Sequence, residues 1–306
     1  MSLLHNRAAL AATVALFVSI TSACAERRGA RMDGPSLAER APATARHSGW
    51  YVDVRDMADA GDNAGRRAYL RKRLENAGMT VDVQPFVSGS REGENLIADV
   101  GGPAAAPLLL IGAHSDRVDA GRGATDNASG SATALALAER FKRRPLAHHR
   151  LKVAFWDLEE RRLLGAKAYV AQDRERPALY VNFDVFGWGD TLWMMSRDAA
   201  HPLVAASRGA AEALRISISV GDRYPPSDHL AFLKADWPAV SYSLVGESEV
   251  AGILQAYAGH KPADAPKVMT VIHSDRDTIE QVDEVAVAKG IDAVEAAIRV
   301  WDAQAP

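Results

Sequence analysis

The stretch PLLLIGAHSD, residues 107–116, is apolar from Pro107 to Ala113 and turns polar at His114. A short run without alternation reads as a strand covered on both faces, the habit of central parallel strands. Leu151–Trp156 and Leu179–Phe183 read as two more buried strands, while Thr80–Phe86 alternates as a half-buried strand does and Glu94–Val100 follows it. Helical segments are expected at Asn63–Ala77, stopped by Gly78, and at Ser129–Arg143, Leu163–Ala171, Pro202–Leu214, His229–Lys234 and Val282–Trp301. Further strands are expected at Ile216–Val220 and Ala239–Leu244. Strand and helix alternate through the middle of the chain. This predicts an α/β fold, a three-layer α/β/α sandwich around a mixed, largely parallel central sheet.

With 306 residues, 48% of them apolar and 25% charged, the chain can hold one large domain and a short extra segment. The net charge of −3 and the interspersed acids and bases argue against nucleic acid as a partner. The basic patch Lys142-Arg143-Arg144 with Arg150 reads as the solvated end of a helix, where cations suit the dipole. No internal repeat divides the sequence, so residues 46–306 are expected to form a single domain.

The first 25 residues read as a leader. Arg7 precedes an acid-free apolar run, Ala8–Ile20, then the small residues Thr21-Ser22-Ala23 and Cys24. The run is too short for a membrane span of about 20 residues. Cys24 stands where a lipoprotein signal places its lipidated residue, although Thr21 replaces the usual aliphatic residue. Cleavage after Ala25, at Ala23-Cys24-Ala25, is the alternative. Either way export is expected, as a periplasmic or outer-membrane-anchored lipoprotein or as a secreted protein. Cys24 is the sole cysteine, so no intrachain disulfide can form. Residues 26–45, rich in Arg, Ala, Gly and Pro, read as a flexible tether.

Metal-ligating side chains recur where strands are expected to end. His114 closes the first buried strand, and Asp116 is placed to accept from its other ring N–H. Asp126 lies in a glycine-flanked loop before a helix; Asn127 and Ser129 could cap that helix, leaving Asp126 free to bridge two metals. The loop lacks the third glycine of a dinucleotide fingerprint. Glu159 and Glu160 follow the second strand and precede Arg161-Arg162, a pattern that in isolation also suits a solvated helix start. Neighbouring side chains point apart, so one glutamate can ligate while the other faces a water. Asp184 ends the third strand, and His273 precedes the last helix.

With GAHSD (112–116), GATDNASG (123–130), the paired glutamates followed by LLGAKAYV (163–170), NFD (182–184), SDHLAFLKADWPAV (227–240) and HSDRDT (273–278), the chain resembles the secreted bacterial aminopeptidases with two co-catalytic zinc ions, in metallopeptidase clan MH. The resemblance covers about residues 50–300. It implies two Zn²⁺ per chain, one on His114, Asp126 and Asp184 and the other on Asp126, Glu160 and His273, with Glu159 as general base. It also implies a catalytic domain over residues 46–306 acting on peptides with a free N-terminus. The cluster balances: two Zn²⁺ against three carboxylates and a hydroxide. Asp228 is expected behind the ligands, His229 in helix packing, and Asp277 as a cap of the final helix. Phe186, Trp188, Tyr242 and Tyr257 are expected in core or surface packing, and His148-His149 in an exposed loop.

Other readings stay open. Glutaminyl cyclases share the expected fold and the paired glutamates but use one zinc. A carboxypeptidase or other amidohydrolase could occupy the same scaffold, as could a binding domain without activity. Serine chemistry lacks its G-x-S-x-G elbow and single-zinc chemistry its H-E-x-x-H helix. Residues 186–226, where the resemblance places substrate contacts, match no motif, so side-chain preference is undetermined.

Overall fold

The computed structural model describes residues 47–172 and 174–305. The expected leader, its cysteine and the tether lie outside them.

Eight strands form one sheet in the order β1-β2-β4-β3-β5-β8-β6-β7. They are β1 (Thr80–Ser88), β2 (Arg91–Gly101), β3 (Leu108–His114), β4 (Arg150–Trp156), β5 (Leu179–Phe186), β6 (Thr191–Met195), β7 (Ser217–Gly221) and β8 (Ala239–Val245). The centre, β4-β3-β5-β8, is parallel; β2 runs antiparallel to β4 and β1 antiparallel to β2, while β6 runs antiparallel to β8. The mixed, largely parallel sheet expected from the apolar runs is present.

Alternation within β3 builds the layers. Leu109, Ile111 and Ala113 face one core, shared with α1 (Gly49–Ala58), α2 (Asn63–Asn76), α3 (Gly130–Arg143), α5 (Pro202–Leu214) and α9 (Glu284–Ala303). Leu110 faces the other with Trp156 and Tyr180, under α4 (Leu164–Ala171) and α6 (His229–Lys234). Gly112 shares that second face, where a Cβ would stand 2.7 Å from the carbonyl oxygen of Ala154. Each fully buried Leu or Ile here contributes about 1.5–3 kcal/mol. A third apolar cluster, Trp188, Trp193, Val245, Ile253 and Val268 among others, sits under α7 (Glu247–Tyr257) and α8 (Lys267–Val271).

Four elements go beyond the expected ones: α1, β6, α7 and α8. Ser48 starts α1 by accepting from the Tyr51 N–H, and Glu284 clamps Ser48 from the head of α9. The last helix begins at Glu284 with Asp283 as its cap, so Asp277 does not cap it. His149 is buried instead of exposed: it stacks on Trp301 and pairs with Asp302 at 2.8 Å. No helix among the described residues is long and apolar enough to cross a membrane.

Candidate metal centre

The C-terminal ends of the parallel strands converge on one spot, as they do in open α/β sheets. His114 is the last residue of β3, and its backbone carbonyl is held by the Ser131 hydroxyl at 2.7 Å. Asp184 lies in β5 where the register with β8 slips between Phe183 and Phe186, a bulge that re-aims its side chain. Asn182, just before, ends a buried chain: the Trp156 indole donates to Tyr180, Tyr180 donates to Asn182, and the Asn182 amide donates to Ser227 and Ser241. That chain fixes the floor beneath Asp184 and Asp228.

Asp126 occupies the turn Ala124–Ser129, where Asp126 and Asn127 leave helical geometry and the peptide between them is cis. Asn127 caps α3 by accepting from the Gly130 N–H at 2.9 Å, as expected; the Ser129 hydroxyl instead donates to Thr125 and accepts from Phe186. The Asp126 side chain is thereby free. Asp277 turns out to organise this turn, accepting from the backbone N–H of Thr125 (2.6 Å) and Asp126 (3.1 Å). Beneath it lies Arg66 of α2, 1% exposed, whose guanidinium donates to the Gly123 carbonyl at 2.7 Å. Burial pulls Arg66 down to about 10, still charged at neutral pH beside Asp116, Asp277 and Asp126. A lone arginine in a charged helix carries no sign of such a role in the sequence.

The loop after β4 carries Glu159 and Glu160 through three left-handed non-glycine residues, Leu158, Arg162 and Leu163. Conformations of that kind cost about 1–2 kcal/mol each and persist only when held. Asp116 supplies the hold, its carboxylate accepting from the backbone N–H of Glu159 (3.0 Å) and Glu160 (3.2 Å). His114 Nδ1 donates to the Asp116 backbone carbonyl at 3.1 Å, with the carboxylate farther off at 3.5 Å. The expected partner residue is right, but its main chain makes the closer bond.

All five expected ligands and Glu159 come together. His114 Nε2 lies 3.2 Å from one oxygen of Asp126 and 3.6 Å from Asp184. His273 Nε2 lies 3.1 Å from the other oxygen of Asp126 and 3.1 Å from Glu160. Each histidine thus faces its own oxygen of one shared carboxylate. Donor atoms about 2.0–2.1 Å from a tetrahedral zinc stand roughly 3.3 Å apart, so these spacings fit such ions. Single donor atoms of His114, Glu159 and Asp184 lie within 4.8 Å of one another, and so do those of Asp126, Glu160 and His273. Glu160 Oε1, Asp184 Oδ1 and both oxygens of Asp228 have no hydrogen-bond partner among the described residues. Buried acceptors left bare are what a cation would satisfy.

The proton affinities follow from crowding. Burial, with Asp228 and Asp184 nearby, lifts Glu159 well above the carboxylate range against the pull of His114. Burial likewise lifts Asp228. Asp126 falls well below its ordinary range: burial pushes it up, but the two imidazoles outweigh this. His273 rises to about 10 through its contacts with Asp126 and Glu160.

Beside the ligands opens a small cavity of about 90 Å³ with apolar side chains in its wall, notably Trp193, Tyr224, Val245, Ile253, Val268 and Ile272. Phe186, Trp188 and Tyr242 are buried as expected, whereas Tyr257 borders this cavity. Trp193 and Tyr224 come from the stretch that matched no motif. His229 is buried in α6 with its ring edge-on to Tyr224.

The pattern of peptidase family M28 matches residues 95–298, and the chain belongs to that family. Leupeptin-inactivating enzyme 1 of Streptomyces exfoliatus is 29% identical over 271 residues, 81% of this chain. The chain spans about 60% of that relative's length. Among solved structures, the LapA aminopeptidase of Legionella pneumophila aligns over 82% of this chain and 70% of its own, at 18% identity and a TM-score of 0.65. Glutaminyl cyclase of Porphyromonas gingivalis aligns over 84% and 97%, at 19% identity and a TM-score of 0.66.

Proposed function

We propose that the protein is a metal-dependent aminopeptidase holding two Zn²⁺, one on His114, Asp126 and Asp184 and one on Asp126, Glu160 and His273. The observation that carries this reading is Asp126, whose two oxygens each face a different histidine at 3.1–3.2 Å. A one-metal site, as in the cyclase reading, leaves that arrangement without a purpose. Two ions bound here would supply Lewis acidity: a seat for the free amine and polarisation of the first peptide carbonyl.

The chain's own residues do the rest. Glu159, whose backbone places it beside the ligand cluster, accepts a proton from the attacking water as its carboxylate and delivers it to the leaving amine. Asp116 keeps the two glutamates aimed by their backbone. The apolar cavity takes the N-terminal side chain and favours uncharged ones. Residues 1–25 and 26–45 are proposed as export leader and tether, with Cys24 lipidated or removed and the domain delivered beyond the inner membrane.

Metal analysis of the purified domain alongside a panel of aminoacyl chromogenic amides tests this. Two zinc per chain and cleavage of Leu or Phe amides are expected. Glu159→Gln should keep its metal while turnover falls about 10²–10⁴-fold. One zinc per chain with cyclisation of N-terminal glutamine would instead establish the cyclase, and full activity in Glu159→Gln would remove the assigned base.

A further inference from the structure

A second cleft adjoins the metal centre on the side away from the apolar cavity. It is lined by Ser88, Gly89 and Arg91 of the β1–β2 turn and by Glu160, Arg161 and Arg162 of the loop after β4. The three arginines are exposed. Their neighbours are already paired: Arg67 with Asp157 and Glu94, Arg71 with Glu75. Among the described residues no carboxylate lies within 4.0 Å of Arg91, Arg161 or Arg162. Unpaired arginines are common on surfaces; these three share a cleft with a proposed metal ligand.

The sheet order gives the two cavities a direction. The apolar one lies over β5, β8 and β6, the cationic one beside β4, β2 and β1, and Glu160 borders both. A peptide that seats its first side chain in the apolar cavity meets the walls of α7 and α8 there. Its remaining residues then lie on the side of the ligand cluster, and the cleft that shares Glu160 with the cavity borders that side. Three guanidinium groups present planar, paired donors suited to a carboxylate.

We infer that this cleft binds a carboxylate of the substrate on the leaving-group side, either the C-terminus of a short peptide or an acidic side chain soon after the scissile bond. The inference rests on the aminopeptidase reading above. It makes the enzyme one that favours short or acidic peptides over long neutral ones.

The test uses the zinc-loaded protein and matched peptides: Leu-Gly-Gly with a free or an amidated C-terminus, and Leu-Gly-X-amide with Glu, Gln or Lys at X. At low salt kcat/KM for the free acid should exceed that for the amide about tenfold, and the ratio should shrink at high salt, where screening is about 3 Å. Arg91→Ala and Arg162→Gln should each move the ratio toward one. Preference for the Glu amide over the Gln amide assigns the side chain as the carboxylate source; preference confined to free acids assigns the C-terminus. A wild-type ratio near one, or a ratio untouched in Arg91→Ala, overturns the inference while hydrolysis itself continues. If no peptide is cleaved by fully loaded protein, the aminopeptidase reading fails and the inference falls with it. Should Arg162→Gln not fold, Arg91→Ala and the salt series still decide.

Discussion

Removing the Asp116 carboxylate should disarm the site by releasing a loop, with the metals still bound. The carboxylate is 1% exposed and accepts from the N–H groups of Glu159 and Glu160. A hydrogen bond to a charged group contributes about 1.5–3 kcal/mol, and because both glutamates are only partly buried the lower figure applies, giving about 3 kcal/mol for the pair. Those bonds offset the three left-handed residues on the same loop. Asp116→Ala should therefore lower the melting temperature by roughly 6–12 °C, at about 2–4 °C per kcal/mol for a domain of this size. Turnover should fall about 100-fold, the cost of misplacing a reacting group by about 1 Å. Asp116→Asn keeps one acceptor oxygen and should lose about half as much stability. Calorimetry, zinc analysis and steady-state kinetics on the three proteins decide it. Zinc lost with kcat intact in the remaining loaded fraction would mean that Asp116 serves His114 instead; wild-type melting and turnover in Asp116→Ala would refute the clamp altogether.

Glu249 should govern substrate preference, because its carboxylate accepts from the Trp188 indole (2.8 Å) and from the N–H groups of Gly246 (3.0 Å) and Val268 (2.9 Å), tying both helices of the cavity wall to one point. Glu249→Ala should lower kcat/KM for Leu substrates about tenfold more than for Ala substrates, read as a ratio; an unchanged ratio would show that the wall holds without it. His201 caps α5 with its ring nitrogen accepting from the Leu203 N–H at 3.2 Å, which requires the neutral ring, and burial holds its pKa below the ordinary 6.5. The folded value is the lower one, so its contribution is complete above pH 6.5 and is lost as the pH falls through the folded value. Urea midpoints at pH 7.5 and 5 should drop further for the wild type than for His201→Asn, which keeps a capping acceptor without the proton; parallel drops would clear His201 of any part.

Legibility in the sequence followed the range of the forces involved. Pro107–Ala113 announced a central strand because burial on both faces leaves no room for polar alternation, and β4 and β5 were legible for the same reason. His114, Glu159 and Glu160 were legible because parallel strands all end at the same edge. The short elements were harder. β6 is five buried residues, too few for a period, and α7 buries only Ile253, so neither bears a strong amphipathic mark. Asp277 and His149 were placed wrongly because their partners, the turn at Thr125–Asp126 and Asp302, lie more than 150 residues away in sequence.

Composition and local pattern were enough to settle the layered α/β architecture and the kinds of donor available, since hydrophobic periodicity and ligand chemistry are properties of residues and their immediate neighbours. Which oxygen of Asp126 faces which histidine, which atom of Asp116 supports His114, and that Trp193 and Tyr224 share a cavity with His273 were decided only by folding. Those relations are distances between segments far apart along the chain, and they exist only once the sheet order and packing have closed.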